Sequence, residues 1–207
     1  MRKISIITTL LLIFSVGLFA DISKGLDLFN KNSFEKAIAE LLPHANSGTK
    51  DKRVYYALFS IYYRKRQLKS AIKWGIEFLK YGTDYRLTHD LTLSFYQLKM
   101  YKRVIRMAQY ANVRFGDKHE FYNLMGMAYY YTGKYLLAEV AIRMANTLAP
   151  NSYLYRYNYG RVLYKRGKLK GALAQLTRSI QLNSKYPASI RVLNEVKKKI
   201  SNINPGQ

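Results

Sequence analysis

A unit of about 34 residues recurs along this chain and limits the kind of structure it can form. Its clearest copy covers residues 119–152. Aromatic, small and apolar residues fall at fixed unit positions of that copy, namely Tyr122, Met125, Gly126, Tyr129, Gly133, Tyr135, Ala138, Ile142, Ala145 and Pro150. A fixed period of this length is typical of stacked helical pairs, because each pair buries its apolar face against the next.

The same copy predicts two helices joined by a turn. The first runs from about Glu120 to Tyr131, and Gly126 on its inner face leaves room for a second helix to approach closely. Gly133 reverses the chain, and the second helix runs over residues 135–148. The copy therefore predicts one helical hairpin.

This spacing resembles that of the tetratricopeptide-repeat family. The resemblance implies an all-α fold, a right-handed superhelical solenoid of about five helix-turn-helix units with a C-terminal capping helix. Residues 21–186 would hold the five repeats, whose copies cover residues 18–51, 52–84, 85–118, 119–152 and 153–186. The third copy is degenerate, because Thr92, Lys99 and Val104 stand where Gly, Gly and Ala are usual.

The segment after the last repeat, residues 187–207, predicts a cap and a loose tail. Between Ala188 and Ile200 an amphipathic pattern predicts a helix whose apolar face would cover the fifth repeat. The face is predicted to consist of Ile190, Leu193, Val196 and Ile200.

The N-terminus predicts export. Arg2 and Lys3 precede an apolar run that ends near Ala20, as in a secretory signal peptide over residues 1–20. A mature chain starting near Asp21 would be periplasmic in a bacterium, and an uncleaved anchor would make the protein associate with the inner membrane. Both alternatives remain open from the sequence.

The composition favours an anionic partner and gives little support to an enzyme. Lys and Arg number 35 against 12 Asp and Glu, for a net charge of +23, although a basic proteome would produce the same excess. The chain has no cysteine, and His44, His89 and His119 lie in different repeats without the spacing of metal ligands. We therefore predict no catalytic site, no metal and no cofactor.

The resemblance also implies where a partner would bind. In the family, first helices line a concave groove in which partner peptides lie, and unit position 12 is aromatic in every copy of this chain. Those residues are Phe29, Tyr63, Tyr96, Tyr130 and Tyr164. Together with neighbouring positions they give the candidate partner-binding residues Tyr56, Tyr63, Tyr96, Tyr130, Tyr157, Tyr164, Arg53, Arg64, Arg86, His89, Arg161 and Lys165. Acidic residues are expected to be few on this surface, with Asp90 and Glu120 on or near it.

Two functions follow from these observations. The first is a non-enzymatic scaffold that binds another protein or peptide, with an acidic segment, in its concave groove. The alternative is a basic surface for an anionic polymer, either membrane headgroups, a cell-wall polymer or nucleic acid, the last disfavoured if the chain is exported. This alternative is favoured by a group of cations at the turn of the fifth copy, which would form a basic edge of the solenoid. They are Lys165, Arg166, Lys168 and Lys170.

Overall fold

The computed structural model describes residues 22–203 of the chain. Those residues form eleven helices and no strand. The helices are α1 (22–30), α2 (Phe34–Asn46), α3 (Lys52–Arg64), α4 (Leu68–Leu79), α5 (Tyr85–Gln97), α6 (Tyr101–Phe115), α7 (His119–Tyr131), α8 (Tyr135–Leu148), α9 (Tyr153–Lys165), α10 (Leu169–Leu182) and α11 (Pro187–Ile203). The predicted signal peptide, residues 1–20, lies outside the described residues.

The described residues divide after Ser94 into two compact units. The first unit holds α1 to α4 and most of α5, and its core includes the fully buried Leu41, Leu58 and Ile61. The second unit holds the end of α5 and α6 to α11. Its core includes the fully buried Phe121 of α7 and Ile142 of α8.

The turn inside each helical hairpin has the same left-handed backbone in all five copies. Its φ angles are positive at unit position 15, with values of 57° at Asn32, 59° at Arg66, 57° at Lys99, 75° at Gly133 and 74° at Gly167. The last two are the predicted glycine turns. Arg66 and Lys99 adopt a conformation that suits glycine better, because their Cβ atoms approach the following carbonyl oxygen. Packing of the flanking helices therefore overrides local preference at these turns.

Replacing Lys99 by glycine is expected to stabilise the second unit by about 0.5–1 kcal/mol. The left-handed conformation costs a residue with a Cβ about 1–2 kcal/mol, and the greater freedom of glycine in the unfolded chain removes part of that gain. Lys134→Gly is the matched control, since Lys134 has a φ of -84° and should gain nothing. Urea denaturation of the two variants measures the difference, and equal effects at both positions would contradict the backbone explanation.

Small residues on the first helices let the second helices approach closely. A Cβ added at Gly126 would lie 2.6 Å from Ile142 Cγ1, and one added at Gly160 would lie 2.6 Å from Leu176 Cγ. The predicted role of Gly126 is thereby confirmed. The third copy has Thr92 at this position, fully buried, and its hydroxyl donates to the Thr88 carbonyl at 2.6 Å.

The C-terminal helix α11 packs against α10 and α9 through most of the predicted face, since Leu193, Val196 and Ile200 lie against this core. Val192 and Val196 are buried against Leu176, whereas Ile190 is 41% exposed, so its predicted place on the packing face was wrong. A buried contact between two serine hydroxyls accounts for the exposure of Ile190. Ser189 is fully buried, and its hydroxyl lies 2.8 Å from that of Ser179, which turns the neighbouring Ile190 outward.

Candidate functional site

The first helices of the first unit line two adjoining clefts, which share Phe29 and Tyr56. The larger has a volume of about 730 Å³ and the smaller one of about 140 Å³. Five of the predicted partner-binding residues line them, namely Arg53, Tyr56, Tyr63, Arg64 and Arg86. The repeat pattern thus places these side chains on one concave surface, called here the first-unit clefts.

The tyrosine rings of the first-unit clefts pack against phenylalanine rings that also line these clefts. Tyr63 stacks on Phe59 with 5.7 Å between ring centroids, and Tyr56 lies 5.9 Å from Phe78. Burial and the negative charge of Asp90 raise the pKa of the Tyr63 hydroxyl. These tyrosines are therefore positioned before any ligand arrives, which lowers the entropy that binding would cost.

The charges of the first-unit clefts are mixed. Arg53 pairs with Asp51 at 2.6 Å, and Arg64 donates to the Asn32 side-chain oxygen at 3.1 Å. The predicted binding residue His89 lines neither cleft, and its Nδ1 lies 3.3 Å from a carboxylate oxygen of Asp90. The expectation that acidic residues would be few on this surface was wrong here. Four aspartates line the clefts, Asp27, Asp51, Asp84 and Asp90.

The second unit gathers four tyrosines around one arginine, and we call this group the Arg161 cluster. The Arg161 guanidinium carbon lies 4.5 Å from the ring centre of Tyr130, 5.3 Å from that of Tyr157 and 5.8 Å from that of Tyr131. Tyr96 completes the cluster, with its ring 6.2 Å from that of Tyr131. Sequence positions on three successive first helices thus converge on a single cation.

Hydrogen bonds link the polar tips of the Arg161 cluster. Burial raises the pKa of the Tyr96 hydroxyl, and its hydrogen bond to Tyr131 raises it further. Burial also raises the pKa of Tyr131, but the hydrogen bond and charge of Arg161 outweigh it and leave that pKa below its usual value. The polar ends of Tyr96, Tyr131 and Arg161 therefore lie close enough to shift one another's pKa values.

No carboxylate of the described residues forms an ion pair with Arg161. Burial lowers the pKa of the guanidinium, but its hydrogen bond to Tyr131 and the surrounding tyrosines reverse that effect and raise it. Aromatic faces attract a cation by about 0.5–2 kcal/mol each without neutralising its charge. The cluster therefore places aromatic rings and a positive charge together, with Tyr157 buried beneath them in the core.

Tyr164 and Lys165 lie elsewhere. Tyr164 packs against the core formed by α9, α10 and α11, and the Lys199 ammonium lies 5.4 Å from its ring centre. Lys165 is exposed to solvent at the end of α9. Tyr164 therefore contacts the C-terminal helix and not the Arg161 cluster.

Sequence reasoning missed Tyr131 and Tyr101. Tyr131 lies at the centre of the Arg161 cluster, and Tyr101 stacks on it with 5.3 Å between ring centroids. The signal available was the uninterrupted run of three tyrosines at the end of α7, residues 129–131. Tyr131 lies at unit position 13, which supplied the candidates Arg64 and Lys165 in other copies, but in this copy only Tyr130 at position 12 was selected.

Comparison with solved structures identifies the architecture. YrrB, described as a TPR protein with an unusual peptide-binding site, has a TM-score of 0.73 and 19% identity over 83% of this chain and 89% of its own. MamA from Desulfovibrio magneticus RS-1 has a TM-score of 0.68 and 16% identity, over 82% of this chain and 96% of its own. TTC0263, a thermophilic TPR protein in Thermus thermophilus, has a TM-score of 0.58 and 14% identity, over 86% of this chain and 98% of its own.

The chain has the tetratricopeptide-repeat fold. The predicted all-α repeat class is thereby confirmed. Comparisons with protein-family models and with curated proteins gave no match. The three structural neighbours share fewer than one residue in five with this tetratricopeptide-repeat chain, so the likeness establishes its fold alone.

Part of the basic edge in this tetratricopeptide-repeat chain has a structural role. The carboxylate of Glu139 on α8 is 11% exposed and accepts hydrogen bonds from Arg166 and from Lys168, the latter at 2.8 Å. Burial raises the pKa of Glu139, but these two cations outweigh it and hold the pKa below its usual range. Two of the four turn cations therefore join the fifth repeat to the fourth.

Replacing Glu139 by glutamine is expected to lower the free energy of unfolding by about 1–2 kcal/mol near pH 7, because two partly covered cations lose their partner. Since the folded pKa is depressed, this stabilisation exists above the unfolded value of about 4.3 and disappears as the pH falls through the folded pKa. The gap between the wild-type protein and Glu139→Gln should therefore close below about pH 4.

Urea denaturation from acidic to neutral pH measures that gap. Glu195→Gln is the control, because Glu195 is exposed on α11 and forms no ion pair within the described residues. A gap that persists at acidic pH would show that glutamine disturbs packing and not charge.

Within the described residues, no group of three His, Asp or Glu side chains could hold a metal ion. None of the helices in residues 22–203 is both long and apolar enough to cross a membrane.

Proposed function

We propose that this protein is a non-enzymatic scaffold that binds an extended segment of a partner protein on the faces of its first helices. The observation that carries the proposal is the Arg161 cluster, in which rings from three successive repeats surround one cation. Rigid aromatic side chains with polar tips are favoured where a surface has to bind another protein. The peptide-binding described for YrrB supports this use of the fold.

The partner segment is acidic where it meets the second unit. Arg161 carries a charge without a carboxylate partner among the described residues, so an Asp or Glu side chain of the segment can approach it over the tyrosine rings. In the first unit the paired aspartates favour a segment of mixed charge instead. Each unit therefore has its own proposed surface, which favours an acidic segment in the second unit and a segment of mixed charge in the first.

Binding of an anionic polymer by charge alone is the competing function. The pairing of Arg166 and Lys168 with Glu139 weakens the case for the fifth-repeat turn as its surface, because two of the four turn cations are already paired. We also propose that the protein is exported to the periplasm or to the inner membrane surface. This part of the proposal rests on the predicted signal peptide.

Selection from a displayed library of random peptides on the purified full-length protein tests the proposal. Enriched peptides should share aromatic or apolar residues beside Asp or Glu, and their binding should weaken when Tyr130 or Tyr56 is replaced by alanine. Enrichment of peptides that share only acidic charge, and that bind the tyrosine variants equally well, would overturn the groove proposal in favour of polyanion binding.

A further inference from the structure

A second, apolar cleft lies between α6 and α8 over α7, and we call it the α6–α8 cleft. Its volume is about 430 Å³. It shares no lining residue with the Arg161 cluster, and most of its walls are apolar. The lining residues include Val113, Asp117, Tyr122, Leu137, Val140 and Met144.

Several apolar side chains at this cleft are exposed to water. Val113 on α6 is 90% exposed, and Leu137 and Val140 on α8 are 45% and 46% exposed. Leu136, beside the cleft, is 61% exposed. Single exposed apolar residues are common, but a group of them around a concavity marks an interaction surface.

The other repeats show that the fold does not need apolar residues at these positions. Val113 has polar or charged counterparts in every other copy, namely Asn46, Lys80, Thr147 and Gln181. The counterparts of Leu136, Leu137 and Val140 are Glu35, Lys36 and Ala39 in the first copy, Lys69, Ser70 and Lys73 in the second, Lys102, Arg103 and Arg106 in the third, and Lys170, Gly171 and Ala174 in the fifth. Four copies therefore fold without a branched apolar residue there, so the apolar group belongs to this cleft and not to repeat packing.

Positive charge borders the cleft. Arg106 lies three residues before Gln109 on the same face of α6, and Arg143 lies three residues after Val140 on α8. Both are exposed, and neither forms an ion pair with a carboxylate of the described residues. The one carboxylate that lines the cleft, that of Asp117, accepts a hydrogen bond from the Tyr122 hydroxyl at 2.7 Å.

We infer that the α6–α8 cleft docks an amphipathic helix of a partner protein, whose apolar face fills it and whose acidic residues meet Arg106 and Arg143. Leu137, Val140 and Met144 follow one another at helical spacing over about 10 Å of α8. Two turns of a docked helix, with apolar residues at i, i+3 or i+4, and i+7, match that length. The site is formed by the second helices α6 and α8 and by α7 residues outside the Arg161 cluster.

Two other occupants fit less well. A second copy of the chain would bring together molecules that each carry +23, which opposes association. A lipid surface accepts apolar side chains that protrude from one plane, whereas Leu137, Val140 and Met144 line a recess.

Fluorescence anisotropy with a designed peptide and the full-length protein tests the inference. The probe is a labelled amphipathic helix with leucines at i, i+3, i+4 and i+7 and glutamates beside them. A second peptide keeps the glutamates and replaces the leucines by serine. At about 300 mM salt, which screens non-specific attraction, the leucine peptide should bind at least about tenfold more tightly than the serine peptide.

Variants locate the binding site on the protein. Leu137→Arg combined with Val140→Arg installs the residue type found at the same positions of the third copy, so the helix should still form. Affinity for the leucine peptide should fall at least about tenfold. Ala174→Arg, at the position in α10 that corresponds to Val140, should change it less than about twofold.

Three results would overturn the inference. The double variant could retain the affinity of the wild-type protein for the leucine peptide, while circular dichroism shows that it is folded. Vesicles of anionic phospholipid could bind the wild-type protein but not the double variant, while the leucine peptide binds neither protein. Analytical ultracentrifugation could show a dimer that the double variant abolishes, which would assign the cleft to a second copy.

Peptide-induced protection of residues 137–144 from hydrogen exchange would independently support docking of a partner helix in the α6–α8 cleft.

Discussion

Replacing Tyr130 by alanine is expected to weaken binding of the selected acidic peptide by about thirtyfold. Truncation of an aromatic anchor in an interface commonly costs about 2 kcal/mol, which corresponds to that factor. Tyr130 lies 4.5 Å from the Arg161 guanidinium, so its loss also frees the cation to turn toward water. Isothermal titration of the full-length protein with the peptide measures the effect.

The controls separate binding from folding. Tyr130→Phe keeps the ring over Arg161 and should retain most of the affinity, and Tyr110→Ala removes a tyrosine from the second helix α6 and should change affinity less than about twofold. Arg161→Met should weaken binding by several fold and reduce its dependence on salt, since it removes the charge. If Tyr130→Ala lowers the melting temperature sharply but leaves the affinity of the folded protein unchanged, the ring has a structural role only.

Replacing Gly126 by valine is expected to lower the free energy of unfolding of the second unit by about 3 kcal/mol. The new Cβ would lie 2.6 Å from Ile142 Cγ1 and 3.1 Å from the Ile142 backbone nitrogen, so α7 and α8 would have to separate. Overpacking of this kind costs about 1–3 kcal/mol, and the contact with a backbone atom places the expected loss at the upper end, since the higher helix propensity of valine than of glycine offsets only a few tenths of a kcal/mol. Chemical denaturation monitored by circular dichroism measures the loss.

Gly171→Ala is the matched control for this effect. A Cβ at Gly171 in α10 would meet only Leu163 Cδ1 at 3.3 Å, which the flexible side chain can accommodate. The higher helix propensity of alanine should then leave stability unchanged or raise it by up to about 1 kcal/mol. A Gly126→Val variant as stable as the wild-type protein would mean that the two helices are not in close contact.

The repeat pattern was sufficient to predict helices and turns where the signal is local. Helix α8 runs from Tyr135 to Leu148 as predicted, and Gly133 has the left-handed backbone expected of the turn. Lys99 and Arg66 adopt the same conformation although their residue types do not favour it. The position of a residue within the repeat therefore predicted these turns better than the conformational preference of its residue type did.

The arrangement of the Arg161 cluster could not be predicted from the sequence. Unit positions indicated that Tyr96, Tyr130 and Arg161 lie on first helices, but not that one guanidinium would face rings from neighbouring repeats. Contacts between residues about one repeat apart depend on rotamers, which periodicity does not specify. The hydrogen bonds to Tyr131 depend on the same side-chain choices.

The C-terminal helix shows a related limit. Its apolar pattern predicted a packing face that included Ile190, yet Val192 is buried instead. A pair of buried serines, Ser179 and Ser189, sets the rotation of the helix, and hydrophobic periodicity gives no weight to such a pair. Burying a hydroxyl requires a hydrogen-bond partner, so this contact is more demanding than an apolar one.

The central claim is that aromatic first-helix residues, and not charge alone, bind the partner. The measurement that tests it most directly is the affinity of the selected peptide for wild-type protein and Tyr130→Ala between about 50 mM and about 500 mM salt. We predict that wild-type affinity falls by no more than about tenfold across this range, with Tyr130→Ala weaker throughout. A fall of about a thousandfold or more, identical in both proteins, would contradict the claim and identify a polyanion-binding surface.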